Sequence, residues 1–195
     1  MARQPRIVGI GGTQRPRSST ELLVSSVLDI CASHGAHVEL FGGERLAALP
    51  HFDPYQPERT EGEKELVEAV RRADGIVIAS PSYHGGVSGL IKNAIDLLED
   101  LREDERPYFD GRPVGLLVSA AGWQAGGVTL AALRGSSTRC GAGRRRWASR
   151  SIRSNRSLSP RTEASATRRL PRNSTPWPSN SPLVASASAG WIDNP

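Results

Sequence analysis

From Arg6 to Ser119 the chain alternates short unbroken apolar runs with longer stretches whose apolar residues recur at helical spacing. Arg6-Ile-Val-Gly-Ile-Gly11, β-branched and closed by glycine, reads as a buried parallel strand. After Ser18-Ser19-Thr20, the residues Leu23, Val27, Ile30 and Cys31 share one helical face, and His34-Gly35 ends the segment as helices commonly end. Ala36 to Phe41 predicts a second strand. Gly42 to Thr60, with its glycines and prolines, predicts a long irregular connection, followed by a helix marked by Leu66, Val67, Val70 and Ala73. Asp74-Gly75 turns the chain into a third buried strand, Ile76 to Ala79. Beyond a loop from Pro81 to Gly89, Ile91, Ala94, Ile95, Leu98 and Leu101 mark another helix, and Val114 to Ser119 is the fourth strand.

Buried strands alternating with helices predict an α/β fold with a parallel sheet and right-handed crossovers. In such a sheet the loops that follow the strands gather at one edge, where ligands bind.

Those loops carry the candidate chemistry. Gly11 to Thr20 reads Gly-Gly-Thr-Gln-Arg-Pro-Arg-Ser-Ser-Thr, which joins a strand to a helix start with hydroxyls, bare amides and two arginines. Unpaired amides at the positive end of a helix, with a guanidinium beside them, suit a phosphate; Ser18 to Thr20 could also simply cap the helix. No glycine in the chain is followed by lysine, which excludes a P-loop, and Gln14 stands where a dinucleotide fingerprint needs glycine. A monophosphate fits better than either. The loop Ser80-Pro-Ser-Tyr-His-Gly-Gly-Val-Ser-Gly89 offers an aromatic ring among glycines, beside which a planar heterocycle could lie. Ser119-Ala-Ala-Gly-Trp-Gln-Ala-Gly-Gly127 is a third loop of small residues after a strand.

Gly12-Thr-Gln-Arg-Pro-Arg-Ser-Ser-Thr20 resembles the Gly-Ser-x-Arg-x-x-Ser-x-Asn/Thr phosphate loop of the NADPH-dependent FMN reductase family. Pro81-Ser-Tyr-His-Gly-Gly-Val-Ser-Gly-Leu-Ile-Lys-Asn-Ala-Ile-Asp96 resembles that family's Pro-Glu-Tyr-Asn-Gly-Ser-x-Pro-Gly-x-Leu-Lys-Asn-Ala-x-Asp signature, and the similarity runs from about Arg6 to Arg134. The resemblance implies a flavodoxin-like three-layer sandwich with sheet order 2-1-3-4-5, and FMN as cofactor. It implies that Thr13, Arg15, Ser18 and Thr20 hold the FMN phosphate, that Pro81, Ser82, Tyr83, His84 and Gly85 border the isoalloxazine, and that Ser119 and Gly122 flank its far side. Ser82 stands in place of a common glutamate, His84 of an asparagine and Ser88 of a proline. His84 could instead be a loop histidine bonded to backbone, and Tyr83 a packing residue. Lys92, Asn93 and Asp96 read as organisers of their helix. The implied activity is flavin reduction by NADPH or NADH and onward transfer to a small-molecule acceptor. No side-chain nucleophile and no metal are expected, because the cofactor carries the chemistry. The rival reading is a flavodoxin-type electron carrier or redox-sensing module without NAD(P)H turnover.

Charge divides the chain. Met1 to Arg134 holds 14 basic and 18 acidic residues, whereas Gly135 to Pro195 holds 11 arginines, no lysine and two acids, with 13 serines and six prolines. Such a tail is expected to be disordered, leaving residues 1–134 as the FMN-binding domain. As an arm for nucleic acid it would bind with steep salt dependence, but it reads better as a frameshift product, and nucleic acid is not expected as a partner. GC-rich codons for Ser136 to Ser151, read from the third base of the first, give Val-His-Ala-Leu-Arg-Gly-Trp-Pro-Thr-Pro-Leu-Gly-Val-Ala-Ile, a helix end, a turn and an apolar strand. On that reading the fifth strand is missing or altered, with weakened folding as the consequence. Two cysteines, Cys31 and Cys140, suggest neither a disulfide framework nor a zinc site, and Cys31 is expected in the core. The absence of a long apolar run or secretory signal predicts a cytoplasmic protein that does not span a membrane. The family resemblance implies a homodimer or homotetramer.

Overall fold

Helices cover both faces of a sheet whose five main strands run parallel. In the computed structural model, residues 3–141 and the backbone of 148–153 are described, all within one unit, Met1–Ser154. The chain runs β1 (Arg6–Gly11), α1 (Ser19–Ser33), β2 (His37–Phe41), α2 (Gly43–Ala47), α3 (Glu61–Arg72), β3 (Gly75–Tyr83), β4 (Gly86–Val87) and α4 (Gly89–Asp96). A 3-10 turn (Leu97–Leu101), β5 (Val114–Ala120), α5 (Trp123–Arg139) and β6 (Ala148–Arg153) follow. The sheet order is β2-β1-β3-β5-β6, with β4 paired only to β3. Counting the parallel strands alone, this is the 2-1-3-4-5 order of the flavodoxin-like fold.

Local chemistry sets the element ends. The Ser18 hydroxyl accepts the Glu21 amide at 3.3 Å to start α1, and Gly35, at φ +85°, lets the chain leave it. Thr60 and Glu63 form a reciprocal capping box on α3, in which the Glu63 carboxylate accepts the Thr60 amide at 2.7 Å. The larger core lies between the sheet and α3, α4 and α5, built on Val8, Ile10, Ile76, Ile78, Leu116 and their neighbours. The smaller one, Ile7, Val24, Leu28, Val77 and Ala79, lies under α1, with Cys31 packed at its margin. Burial pushes the Cys31 thiol up from its ordinary range.

Arg112 is a buried cation held by backbone alone. Its guanidinium donates to the carbonyls of Arg71, Ala73, Arg106 and Tyr108 at 2.7 to 3.2 Å, joining the end of α3 to the segment before β5. Desolvation pushes its pKa down to about 10, far enough above neutrality that it stays charged.

The sequence expectations meet four differences. The connection from Gly42 to Thr60 contains α2, whose buried Leu46 anchors it. The loop from Pro81 to Gly89 contains a β-hairpin. The third glycine-rich loop is shorter than expected, because α5 begins at Trp123 and takes Gly126 and Gly127 into its first turns. Helical glycine costs about 1 kcal/mol against alanine, so propensity hid this start and packing made it: Gly126 is buried, and its amide donates to the Gly122 carbonyl at 3.0 Å. Finally, α5 passes Arg134 and ends at Arg139, burying Leu133 and Ser137. The fifth place in the sheet is filled by Ala148–Arg153, in parallel register from Gly115↔Ala148 to Ala120↔Arg153. Residues 142–147 and 154–195 lie outside the described residues, and so does the reading of the rest of the tail as a disordered arm or a frameshift product.

Candidate functional site

The carboxyl ends of β1, β3 and β5 lie side by side: Gly11 aligns with Ala79, and Pro81 with Ser119. The loops after these three strands therefore emerge at one edge.

The first loop turns sharply out of β1. Gly12 sits at φ +148°, which L side chains rarely adopt, and Arg17 at φ +53°. Between them the Thr13 hydroxyl accepts the Arg15 amide at 3.2 Å. Ser18 then caps α1, and the Leu22 amide donates to the Ser18 carbonyl at 2.9 Å. The amides of Ser19 and Thr20 belong to the first turn, where a helix offers no internal acceptor and its dipole is positive. Arg15 and Arg17 are exposed beside them.

The second loop is a tight hairpin. Tyr83 pairs with Gly86 and Ser82 with Val87, leaving His84 and Gly85 as a two-residue turn at φ +52° and +76°. A turn with both central residues at positive φ follows the twist of its strands, and asparagine is suited to its first position. The family pattern has asparagine there, and His84 accepts the same backbone at a cost of roughly 1–2 kcal/mol. Among the described residues only Arg17, His84 and Tyr108 combine a side chain with positive φ, and the first two sit in the loops after β1 and within β3–β4. Strain of this kind concentrates at functional sites.

A cavity of about 500 Å3 joins the two loops. One wall is Gly12, Thr13, Gln14 and Arg15; Tyr83 and the start of α4 at Ser88, Gly89 and Leu90 form another. Leu46, Ala47, Leu49, His51 and Asn93 complete it. Asn93 is held structurally: its amide donates to the Pro50 carbonyl and accepts the Phe52 amide, both at 2.8 Å, which fixes His51 between them in sequence. Lys92 and Asp96 pair on the surface of α4 at 2.6 Å, as organisers of a helix do. A separate groove of about 390 Å3 at the β2 edge, lined in part by Arg6, His37, Glu39, Arg45 and Glu65, contains none of the expected ligand residues. There Arg45 bridges Glu39 and Glu65 at 3.2 and 3.1 Å.

Of the residues expected to touch a cofactor, Thr13, Arg15 and Tyr83 line the cavity. Ser18 and Thr20 are buried behind the loop at the start of α1, and Pro81 is buried at the end of the sheet. Ser82 turns toward α5, its hydroxyl 2.7 Å from that of Thr129 and 3.0 Å from the Ala125 carbonyl. His84 is exposed at the hairpin tip with Gly85 behind it. Ser119 and Gly122 lie one strand further on, half-buried, where Gly122 precedes α5 and Trp123 stands 63 % exposed. The cavity wall from Leu46 to His51 has no counterpart in the sequence reading. The one available signal was the apolar pair Leu46 and Leu49 within a stretch otherwise read as irregular.

A glycine-opened strand-to-helix loop beside an aromatic hairpin, at the carboxyl edge of this sheet, defines an α/β protein of the flavodoxin type. The chain belongs to the NADPH-dependent FMN reductase family, whose model matches residues 5–142. It is similar to an iron-sulfur flavoprotein of Archaeoglobus fulgidus, with 33% identity over 131 residues covering 64% of this chain and 66% of the relative. An NADPH azoreductase of a Bacillus species is 30% identical over 126 residues, 62% of each chain. The chain thus spans a little under two thirds of the length of these curated relatives. Among solved structures, the flavoenzyme NAD(P)H:(acceptor) oxidoreductase FerB of Paracoccus denitrificans shares the fold, with a TM-score of 0.55 at 20% identity over 78% of this chain and 76% of that one.

Proposed function

We propose that this protein is a flavin oxidoreductase that holds FMN at the carboxyl edge of its sheet, accepts reducing equivalents from NADPH or NADH and delivers them to a small-molecule acceptor. The observation that carries the reading is the cavity itself, in which an anion-suited loop, Gly12 to Arg15, faces an aromatic one, Tyr83. The donor set fits FMN: the start of α1, where a helix offers its amides no internal acceptor, and the Arg15 guanidinium suit a phosphate, and Tyr83 offers an aromatic ring to a planar heterocycle. The names of the azoreductase and flavoprotein relatives support the same class.

When bound, FMN supplies two-electron chemistry between a nicotinamide and the acceptor. The chain's own part is positional. Thr13, Arg15, Ser18 and Thr20 would hold the phosphate; Pro81 to Gly85 would border the ring, with Ser119 and Gly122 on its far side. Ser82 contributes by locking the hairpin onto α5, which keeps Tyr83 at the cavity wall. The described residues include no helix long and apolar enough to cross a membrane, and the reading places the protein in the cytoplasm as a homodimer or homotetramer.

The test is purification, an absorbance spectrum, an FMN titration, and NADPH oxidation with and without an added azo compound or quinone. Bound flavin and acceptor-dependent turnover support the proposal. A protein that binds FMN without oxidising NADPH or NADH is an electron carrier or sensor, and one that refuses FMN ends the reading.

A further inference from the structure

The geometry points to Glu21 and Gly43 as the pair that sets the shape of the phosphate loop and, through it, the preference for a phosphorylated flavin. This rests on reading Gly12 to Thr20 as the phosphate site. Neither residue touches the cavity, so both act as positioning residues.

Two backbones meet here with nothing between them. A Cβ added at Gly43 would lie 1.8 Å from the Thr13 carbonyl oxygen and 2.9 Å from its amide nitrogen. One added at Gly12 would lie 2.4 Å from the Gly43 nitrogen. The start of α2 is therefore pressed against Gly12 and Thr13, and the contact exists only because both positions are glycine. Backbone atoms cannot swing aside as a side chain tip can. The loop must move if either position gains a methyl group.

Glu21 ties the contact. It sits in the first turn of α1, three residues after the Ser18 cap, and its carboxylate accepts the Gly43 amide at 2.9 Å. That same oxygen would be 3.1 Å from a Cβ at Gly12 or at Gly42, so it fills the corner between the two segments. One side chain thus connects the helix whose amides face the anion, the loop that wraps it and the helix that braces the loop. Inside the loop the Thr13 hydroxyl accepts the Arg15 amide and the Ser18 hydroxyl caps α1, and the Glu21–Gly43 bond adds the tie to α2. The bond also commits the carboxylate to Gly43, so that an acid in the first turn of α1 is engaged away from the anion's amides.

Comparing FMN with riboflavin tests the inference, because riboflavin presents the same ring without the phosphate. Dissociation constants for both are measured on the full chain for wild type, Gly43→Ala, Glu21→Ala and Glu21→Gln, with circular dichroism to confirm folding. Glu21→Ala should weaken FMN about tenfold, the value of a lost hydrogen bond to a charged group, and Gly43→Ala, whose methyl group displaces the Thr13 backbone, should weaken it at least as much, with riboflavin binding unchanged in both. Glu21→Gln keeps an acceptor for the Gly43 amide and should restore FMN affinity. Equal losses for both flavins, or no loss for FMN in either alanine variant, would overturn the pair's role while leaving the proposed function intact. A wild type that binds neither flavin would overturn both. Should Gly43→Ala fail to fold, the Glu21 pair decides alone.

Discussion

The two loops that face each other across the cavity are held by opposite means. The segment from Ser80 to Ser88 carries its own scaffold. Ser80, fully buried, donates to the Pro81 carbonyl at 2.8 Å and accepts the Ser88 amide at 3.0 Å, while Ser82 fastens the hairpin to Thr129 and Ala125 of α5. Gly12 to Ser18 has one internal turn and a helix cap, and it leans on Gly43 for the rest. A loop that presents a flat ring must be fixed beforehand, because stacking gives little directional control. An anion can impose order on amides that converge on it, so the loop proposed to take the phosphate can work with a lighter frame.

Arg15→Ala attacks the lighter loop where it is exposed. FMN affinity should fall roughly 10- to 100-fold, as expected for a charge-assisted hydrogen bond, with riboflavin affinity and melting temperature unchanged. A matching loss for riboflavin would mean that Arg15 shapes the ring site, and the contrast between the loops would fail. Ser80→Ala attacks the heavier one: it leaves the Ser88 amide without its acceptor and should cost about 1–3 kcal/mol in urea denaturation. An unchanged midpoint would show that the hairpin does not depend on its buried serine. Ser82→Ala should cost about 1 kcal/mol and, by loosening the hairpin that carries Tyr83, weaken FMN and riboflavin by the same modest factor in a binding titration. His84→Asn places a residue suited to positive φ at the turn and should stabilise the protein by roughly 0.5–1 kcal/mol, seen as a small rise in melting temperature.

Tyr108, remote from both loops, sharpens the comparison by showing what a single strained, hydrogen-bonded residue contributes elsewhere. It sits at φ +46° and donates to Glu99 at 2.8 Å; burial first, then this bond, pushes its phenol up to about 12. An acid whose folded pKa is raised stabilises the fold fully below its ordinary value of 10, and the contribution is lost as pH rises through about 12. Alkaline unfolding followed by circular dichroism should show a modest loss in that window which Tyr108→Phe removes. An identical alkaline profile in the variant would reject the assignment.

The first four parallel strands and the helices α1, α3 and α4 were legible from the sequence, the strands as short runs rich in apolar residues and the helices as apolar residues recurring at one spacing, while the sheet order followed from the family resemblance. The strand-to-helix connection from Gly11 to Thr20 was legible too, as a glycine turn and a Ser18 cap between an apolar run and a helical face. Other features were not. The start of α5 at Trp123 runs through glycines that disfavour helix, and it is the packing of Gly126 that decides it. The hairpin at His84-Gly85 needed positive φ at a histidine, which local preference resists and the β3–β4 pairing enforces. β6 is polar and arginine-bearing, without the alternation or apolar run of a strand, yet its backbone pairs because β5 offers an open edge.

By itself, then, the sequence determined what depends on neighbours along the chain: periodicity, caps and the composition of each loop. Tertiary structure decided what depends on residues distant in sequence. It brought Gly43 against Thr13, turned Ser82 toward Thr129, and set His51 and Leu46 in the same cavity as Gly12 to Arg15. The reason is physical: a side chain's local preference is worth about 1 kcal/mol or less, and a single close backbone contact or buried hydrogen bond is enough to override it.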